Sequence, residues 1–172
     1  MTSLNRRYKI KNLLLTSQDP IKGQDFAKIF EVTRQVIVKD IAIIRAEGVD
    51  VISTPKGYMI LRQNLTNIRK VIAVNHNRAD LQEELKTIIR YGATVEDVIV
   101  EHPLYGEIRA MLMIKNMFDI ENFINSFKEY SAEPLSILTN GIHLHTITCE
   151  DNNVLSNIIS ELDEKGFLIK EL

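Results

Sequence analysis

Apolar residues recur at helical intervals in three successive stretches near the start of the chain, and the spacing predicts three short helices. In NRRYKIKNLLLTS, Tyr8, Ile10, Leu13, Leu14 and Leu15 fall near that spacing, with Arg6, Arg7, Lys9 and Lys11 between them. Ser17 to Pro20 breaks this helix. A second follows Gly23, with Phe26, Ala27, Ile29 and Phe30 as its apolar face. Thr33 then stands as N-cap of RQVIVKDIAIIRAEG, where Ile37, Ile41 and Ile44 form one buried stripe and Gly48 ends the helix.

After Gly48 the period changes. DVISTPKGYMIL reads as two short β runs joined through Pro55 and Gly57, a hairpin. Three helices with a tight turn before the third, followed at once by a hairpin, match the winged helix-turn-helix plan, here over residues 1–62. With the isoleucine stripe inward, Arg34, Gln35, Val38 and Lys39 lie on the outward face at the start of the third helix, where base edges would be met. Arg suits guanine and Gln suits adenine in bidentate contacts, whereas Lys39, Arg6, Arg7 and Lys56 on the wing are expected at phosphates.

The remainder alternates between strand and helix patterns. The polar linker RQNLTN sets a boundary between Leu61 and Ile68, and a second domain is expected over residues 68–172. KVIAV, VEDVIVEH, GEIRAMLMI and PLSILTNGIHLHTITC contain strands. ADLQEELKTIIRYG, DIENFINSFKEY and DNNVLSNIISELDEKG are helices, the last capped by Asp151 or Asn152 and closed by Gly166 before the apolar FLI. The expected class is α+β: one mixed sheet with helices on a face, an α/β sandwich resembling a split βαβ arrangement.

Charge sharpens this division. The chain carries a net −2, but residues 1–62 sum to +5 and the rest to −7, as suits a domain that approaches DNA joined to one that does not. No run has the apolar length of a membrane span and the opening residues lack a secretory pattern, so a cytoplasmic protein without membrane contact is expected. The single cysteine, Cys149, can form no internal disulfide.

All the histidines lie in the second domain. His143 and His145 are two apart on a strand and so share a face, which is a bidentate arrangement for a divalent ion such as Zn, Ni, Co or Fe. A histidine-lined pocket without metal fits the same spacing. His76 closes the first strand, and Glu84, eight residues on, can turn back towards it from the following helix. His102 ends another strand ahead of Pro103, and Cys149 continues the face of His143 and His145 as a ligand or a buried inert thiol. A metal-dependent enzyme acting on a small carboxylate is the competing class. HExxH, a glycine-rich phosphate loop and GxSxG are all missing from the sequence, so no enzyme is expected.

TRQVIVKDI, EHPLYGEI and LSILTNGIHLHTIT, taken together, resemble the bacterial niacin-responsive transcriptional repressors, built from a biotin-repressor-like winged helix and a 3H domain. Thr33 stands where related helices often have Ser. The resemblance covers nearly the whole chain. It implies a repressor of NAD biosynthesis or niacin uptake genes, with nicotinic acid as co-repressor. It also implies one divalent transition metal ion, nickel or zinc, on His76, Glu84, His143 and His145. His102, Tyr105 and Arg109 are then candidates for the effector pocket, Arg109 because a guanidinium pairs with a carboxylate. A repressor answering the metal itself is the alternative. Reading a double-stranded palindromic operator calls for a homodimer, with the sensor domain as its seat.

Overall fold

In the computed structural model, which describes residues 1–60 and 67–170, the expected helices follow one another as α1 (Ser3–Thr16), α2 (Gly23–Ile29) and α3 (Arg34–Ala46). The linker expected between the domains falls, but for Asn67, outside the described residues. Two units divide the chain, Met1–Gln63 and Asn64–Leu172.

Side-chain caps start the helices of the first unit. Thr2 accepts from the Asn5 amide and Thr33 from the Val36 amide, satisfying donors that have no partner within the helix. The core gathers Ile10, Leu14, Phe26, Phe30, Ile37, Ile41 and Ile44. Tyr8, Leu15 and Ile29, expected on apolar faces, are exposed instead. Leu15 and Ile29 lie one position round the helix from core residues Leu14 and Phe30, and Tyr8 falls outside the stripe of Ile10 and Leu14.

The hairpin is β1 (Val51–Thr54) and β2 (Gly57–Ile60), joined through Pro55 and Lys56. Ile21 and Tyr58 exchange backbone hydrogen bonds of 2.9 Å in both directions, so the segment between α1 and α2 adds a third short edge to the wing. Gly57 makes this approach possible. Its φ is +135°, and a Cβ there would lie 2.4 Å from the Ile21 carbonyl oxygen.

The second unit runs β3 (Ile68–Asn75), α4 (Leu81–Ile89), β4 (Thr94–His102), β5 (Gly106–Ile114), α5 (Met117–Glu129), β6 (Ile142–Cys149) and α6 (Asn152–Glu164). Short 3-10 turns over Arg78–Asp80 and Leu135–Thr139 precede α4 and β6. The sheet order is β3-β6-β4-β5. Every neighbouring pair is antiparallel, which corrects the expected mixed sheet. β3, α4 and β4 do form a split βαβ unit with its strands pointing the same way, but β6 enters the gap between them and runs against both. Ile72, Val74, Leu85, Ile88, Val95, Ile114, Ile120, Ile147, Ile158 and Leu162 fill the core between the sheet and its helices. The final apolar residues extend the β3 edge, where Asn75 donates its amide to the Phe167 carbonyl.

Gly57→Ala combines a left-handed φ with a backbone clash. It is expected to destabilise the first unit by about 1–3 kcal/mol, read as a lowered urea midpoint by circular dichroism. An unchanged midpoint would show that the Ile21 segment can move away at no cost.

Candidate functional site

Three histidines from two strand ends converge on one carboxylate. Register places His143 opposite Val74 and His145 opposite Ile72, with both imidazoles on the helix-covered face of the sheet. α4 begins beyond the end of β3, and its first turn carries Glu84 back over these rings. The Nε2 atoms of His76, His145 and His143 lie 2.8, 3.2 and 3.6 Å from Glu84 carboxylate oxygens. The rings meet edge to face, His143 with His76 and with His145, at centroid distances of 4.9 and 4.8 Å.

The other nitrogen of each ring explains the convergence. Nδ1 of His76 meets the Asn77 carbonyl at 2.8 Å, Nδ1 of His143 the Gly141 carbonyl at 2.8 Å, and Nδ1 of His145 the Asp97 carbonyl at 2.5 Å. A carbonyl can only accept, so Nδ1 carries the hydrogen in all three rings. In the neutral form the lone pair therefore sits on Nε2, facing Glu84.

The Asp97 carbonyl is turned to His145 by a β-bulge, where the register of β4 on β6 shifts between Val95 and Ile99. Asp97 Oδ1 accepts the Thr146 amide at 2.8 Å across the same irregularity. Gly141 is as tightly required, since at φ +96° a Cβ would lie 2.5 Å from the His76 carbonyl oxygen. Asp97, Gly141 and Asn77 are functional positions that sequence reasoning missed. Asp97 is 48 residues from His145 and only the fold joins them; Gly141, two before His143, carries a local signal in its glycine.

The donors fit a divalent metal ion. Three imidazole nitrogens and a carboxylate are nitrogen and oxygen ligands suited to a borderline transition metal. Glu84 Oε1 and His145 Nε2 are buried without a hydrogen-bond partner, although only 3.2 Å apart, because their alignment is poor. A cation between them supplies what each lacks. His76, Glu84 and His143 place one donor atom each within 4.8 Å of one another, and His145 adjoins them through Glu84. Cys149 is not in the cluster; its thiol packs in the core, where burial and then Asp151 push its pKa up.

Electrostatics agree with the geometry. Burial opposes charge on Glu84, but His145, His143 and His76 outweigh it and hold the carboxyl well below its usual range. Burial likewise opposes a proton on His76 and His145, and Glu84 reverses the balance, so both titrate above the ordinary histidine value.

The other expected site residues are dispersed. His102 stacks on Tyr105 at the exposed tip of the β4–β5 hairpin, its Nδ1 accepting the Leu104 and Tyr105 amides. Arg109, opposite Ile99 further along β5, pairs with Asp97 at 3.5 Å and Glu107 at 3.4 Å. The structure therefore does not gather these three into one pocket.

On α3, Arg34, Gln35, Val38 and Lys39 are all exposed, and Lys56 is half-buried on the wing. Arg6 and Arg7 turn inward, against the expectation that they meet phosphates. Arg6 Nε lies 2.6 Å from Asp40, and Arg7 reaches Asp40 and Glu47. The buried Asp40 carboxylate on α3 needs a counter-charge, and α1 provides it.

In the metal-free protein, a proton shared with the histidines compensates the buried Glu84. Because the His76 and His145 pKa values are raised on folding, their stabilisation is present at acid pH and lost as pH rises through the folded values. The Glu84 contribution has the opposite sign and is lost only on strong acidification. Chelator-treated protein is thus expected to lose urea stability as pH rises above the ordinary histidine value of 6.5, while metal-loaded protein gains on it over the same rise. Parallel pH profiles for the two forms would contradict the shared-site reading.

Comparison with known proteins gives the chain its family. Residues 6–59 match the model of an HTH domain and residues 69–171 that of the 3H domain. The chain is 39% identical over 166 residues to the probable transcription repressor NiaR of Thermotoga maritima, covering 96% of this chain and 94% of that protein. It is 36% identical over 170 residues to the transcription repressor NadR of Bacillus subtilis, covering 97% and 94%. An uncharacterized protein of Methanothermus fervidus is 29% identical over 119 residues, covering 65% of this chain and 19% of that longer one. Among the described residues no helix is long and apolar enough to cross a membrane. With an HTH domain leading a 3H domain and repressor relatives matched almost end to end, the chain belongs to the NiaR/NadR family of transcription repressors and is a regulator, not an enzyme.

Proposed function

We propose that this repressor controls genes of NAD biosynthesis or niacin uptake, takes nicotinic acid as co-repressor, and holds one nickel or zinc ion on His76, Glu84, His143 and His145. The observation that carries the metal is the convergence of three Nε2 atoms on a fully buried carboxylate. The resemblance in EHPLYGEI and LSILTNGIHLHTIT supports the effector.

DNA recognition follows from the exposed start of α3. Arg34 and Gln35 present planar donors for base edges, Val38 an apolar surface for a thymine methyl, and Lys39 and Lys56 charge for phosphates. A palindromic operator is read by a homodimer seated on the 3H domain, with recognition helices one DNA turn apart. For the effector to act, nicotinate must bind the DNA-competent arrangement more tightly than the other. His76, Glu84, His143 and His145 would hold the ion, which would supply the positive charge that the buried Glu84 carboxylate lacks. The chain's own residues do the rest: carbonyls of Asn77, Gly141 and Asp97 orient the rings, and the α3 side chains meet the operator.

Mobility-shift titration on the upstream region of niacin or NAD genes is expected to show nicotinic acid tightening the complex, and equal affinity with and without it would sink the co-repressor reading. In the same assay Arg34→Ala should relax base preference, at a cost of about 1–3 kcal/mol on the cognate site, whereas Lys39→Ala should weaken all sequences alike. Elemental analysis should find about one ion per chain, lost in the His143→Ala/His145→Ala double variant. Retained metal in that variant would refute the ligand set.

A further inference from the structure

Across the sheet, Ala73, Leu144, Ile99 and Arg109 stand side by side in one row. Leu144 lies between His143 and His145 on β6, so this row occupies the face opposite the imidazoles and the helices. Arg109 nonetheless reaches a residue that touches the histidine cluster. Its Nη1 lies 3.5 Å from Asp97 Oδ2, and the Asp97 carbonyl accepts Nδ1–H of His145 at 2.5 Å. One residue therefore serves both faces, its carboxylate turned to Arg109 and its carbonyl to His145.

In a regular strand that carbonyl would lie in the plane of the sheet and bond a neighbouring strand. Here the ladder is broken on both sides. Between Val95 and Ile99, four steps along β4 match three along β6, and between Val95 and Asp97, two steps along β4 match three along β5. Within the β5 irregularity the buried Met113 takes φ +53°, in the left-handed region that a residue other than glycine keeps only where its surroundings hold it there.

Two contacts of the Asp97 side chain supply that hold. Oδ1 accepts the Thr146 amide at 2.8 Å, a donor that the broken ladder leaves over. Thr146 follows His145 directly, so the same carboxylate fixes the backbone that carries the ring. Oδ2 is buried and, among the described residues, has no hydrogen-bond partner, so its charge depends on the guanidinium beside it. The Asp97 side chain is 0% exposed and that of Arg109 41%, so the counter-charge reaches a buried carboxylate from a solvent-facing position.

We propose that Asp97 and Arg109 are positioning residues of the metal centre, acting through the sheet: Arg109 holds the Asp97 carboxylate from the opposite face, and that carboxylate keeps the bulge in which the Asp97 carbonyl aims His145 Nε2 at Glu84. This rests on the metal reading above. It gives Arg109 a role in place of the expected effector pocket, and it makes the strained β4–β5 irregularity part of the site rather than a fault in the sheet.

The test is the zinc affinity of the full chain, measured by competition with a chromophoric chelator. It is read beside the visible absorption of the cobalt(II) form and the urea midpoint of the metal-free form. Asp97→Asn keeps an acceptor for the Thr146 amide but loses the charge that draws Arg109. It is expected to weaken zinc binding about tenfold and to displace the cobalt bands. Arg109→Ala should displace the bands in the same direction and weaken zinc binding about threefold, since its ion pair is partly exposed. Glu107→Gln, which removes only the other partner of Arg109, should match wild type. A pair that merely strengthens the sheet would lower the urea midpoint and leave zinc affinity and the cobalt bands unmoved. That result in Asp97→Asn or Arg109→Ala would overturn the proposal, as would a loss in Glu107→Gln equal to that in Arg109→Ala. If Asp97→Asn does not fold, Arg109→Ala decides alone. Failure of the wild-type protein to bind zinc or cobalt would overturn the metal reading, and the positioning role with it.

Discussion

The second unit is organised around a charge it cannot expose. Glu84 is fully buried, and placing a carboxylate there without compensation costs several kcal/mol. Three imidazoles carry that compensation, and each can do so only while its far nitrogen is held by a backbone carbonyl. The requirement passes outward from one side chain to the Asn77 turn, the Gly141 turn and the β4 bulge at Asp97. Few parts of this end of the sheet are therefore free to vary independently.

This makes the cluster both a weakness and a lever. Without a cation, the arrangement relies on protons to balance Glu84 and leaves two buried polar atoms unpaired. A cation there would be held by groups from the end of β3, the first turn of α4 and the start of β6.

The first unit solves a related problem with ordinary salt bridges. Asp40 is buried on α3, and Arg6 and Arg7 of α1 are spent on it. The basic charge of the leading domain is accordingly not all available to DNA. Lys9, Lys22 and Lys28 remain exposed on and beside α1 and α2, and Arg34 and Lys39 at the start of α3.

Periodicity alone determined the elements: the isoleucine stripe of α3, the Thr33 cap, the hairpin through Pro55 and Gly57, and the alternation of strands and helices behind them. These are local effects, written in spacing and backbone preference. The pairing of His143 with His145 was equally legible, because two residues on one strand must share a face. His76 and Glu84, eight residues apart, could be matched to them only through the family resemblance.

Tertiary structure decided the rest. β6 slipped between β3 and β4 and made the sheet antiparallel throughout, an outcome that strand patterns cannot specify because they record burial and not neighbours. Arg6, Arg7 and Arg109 looked available as isolated cations, yet buried or neighbouring carboxylates claimed them once the chain had closed. Asp97 looked like one acid in a strand and became the residue that aims His145. In each case the deciding partner lies far away in sequence, and only folding brings the two within hydrogen-bonding distance.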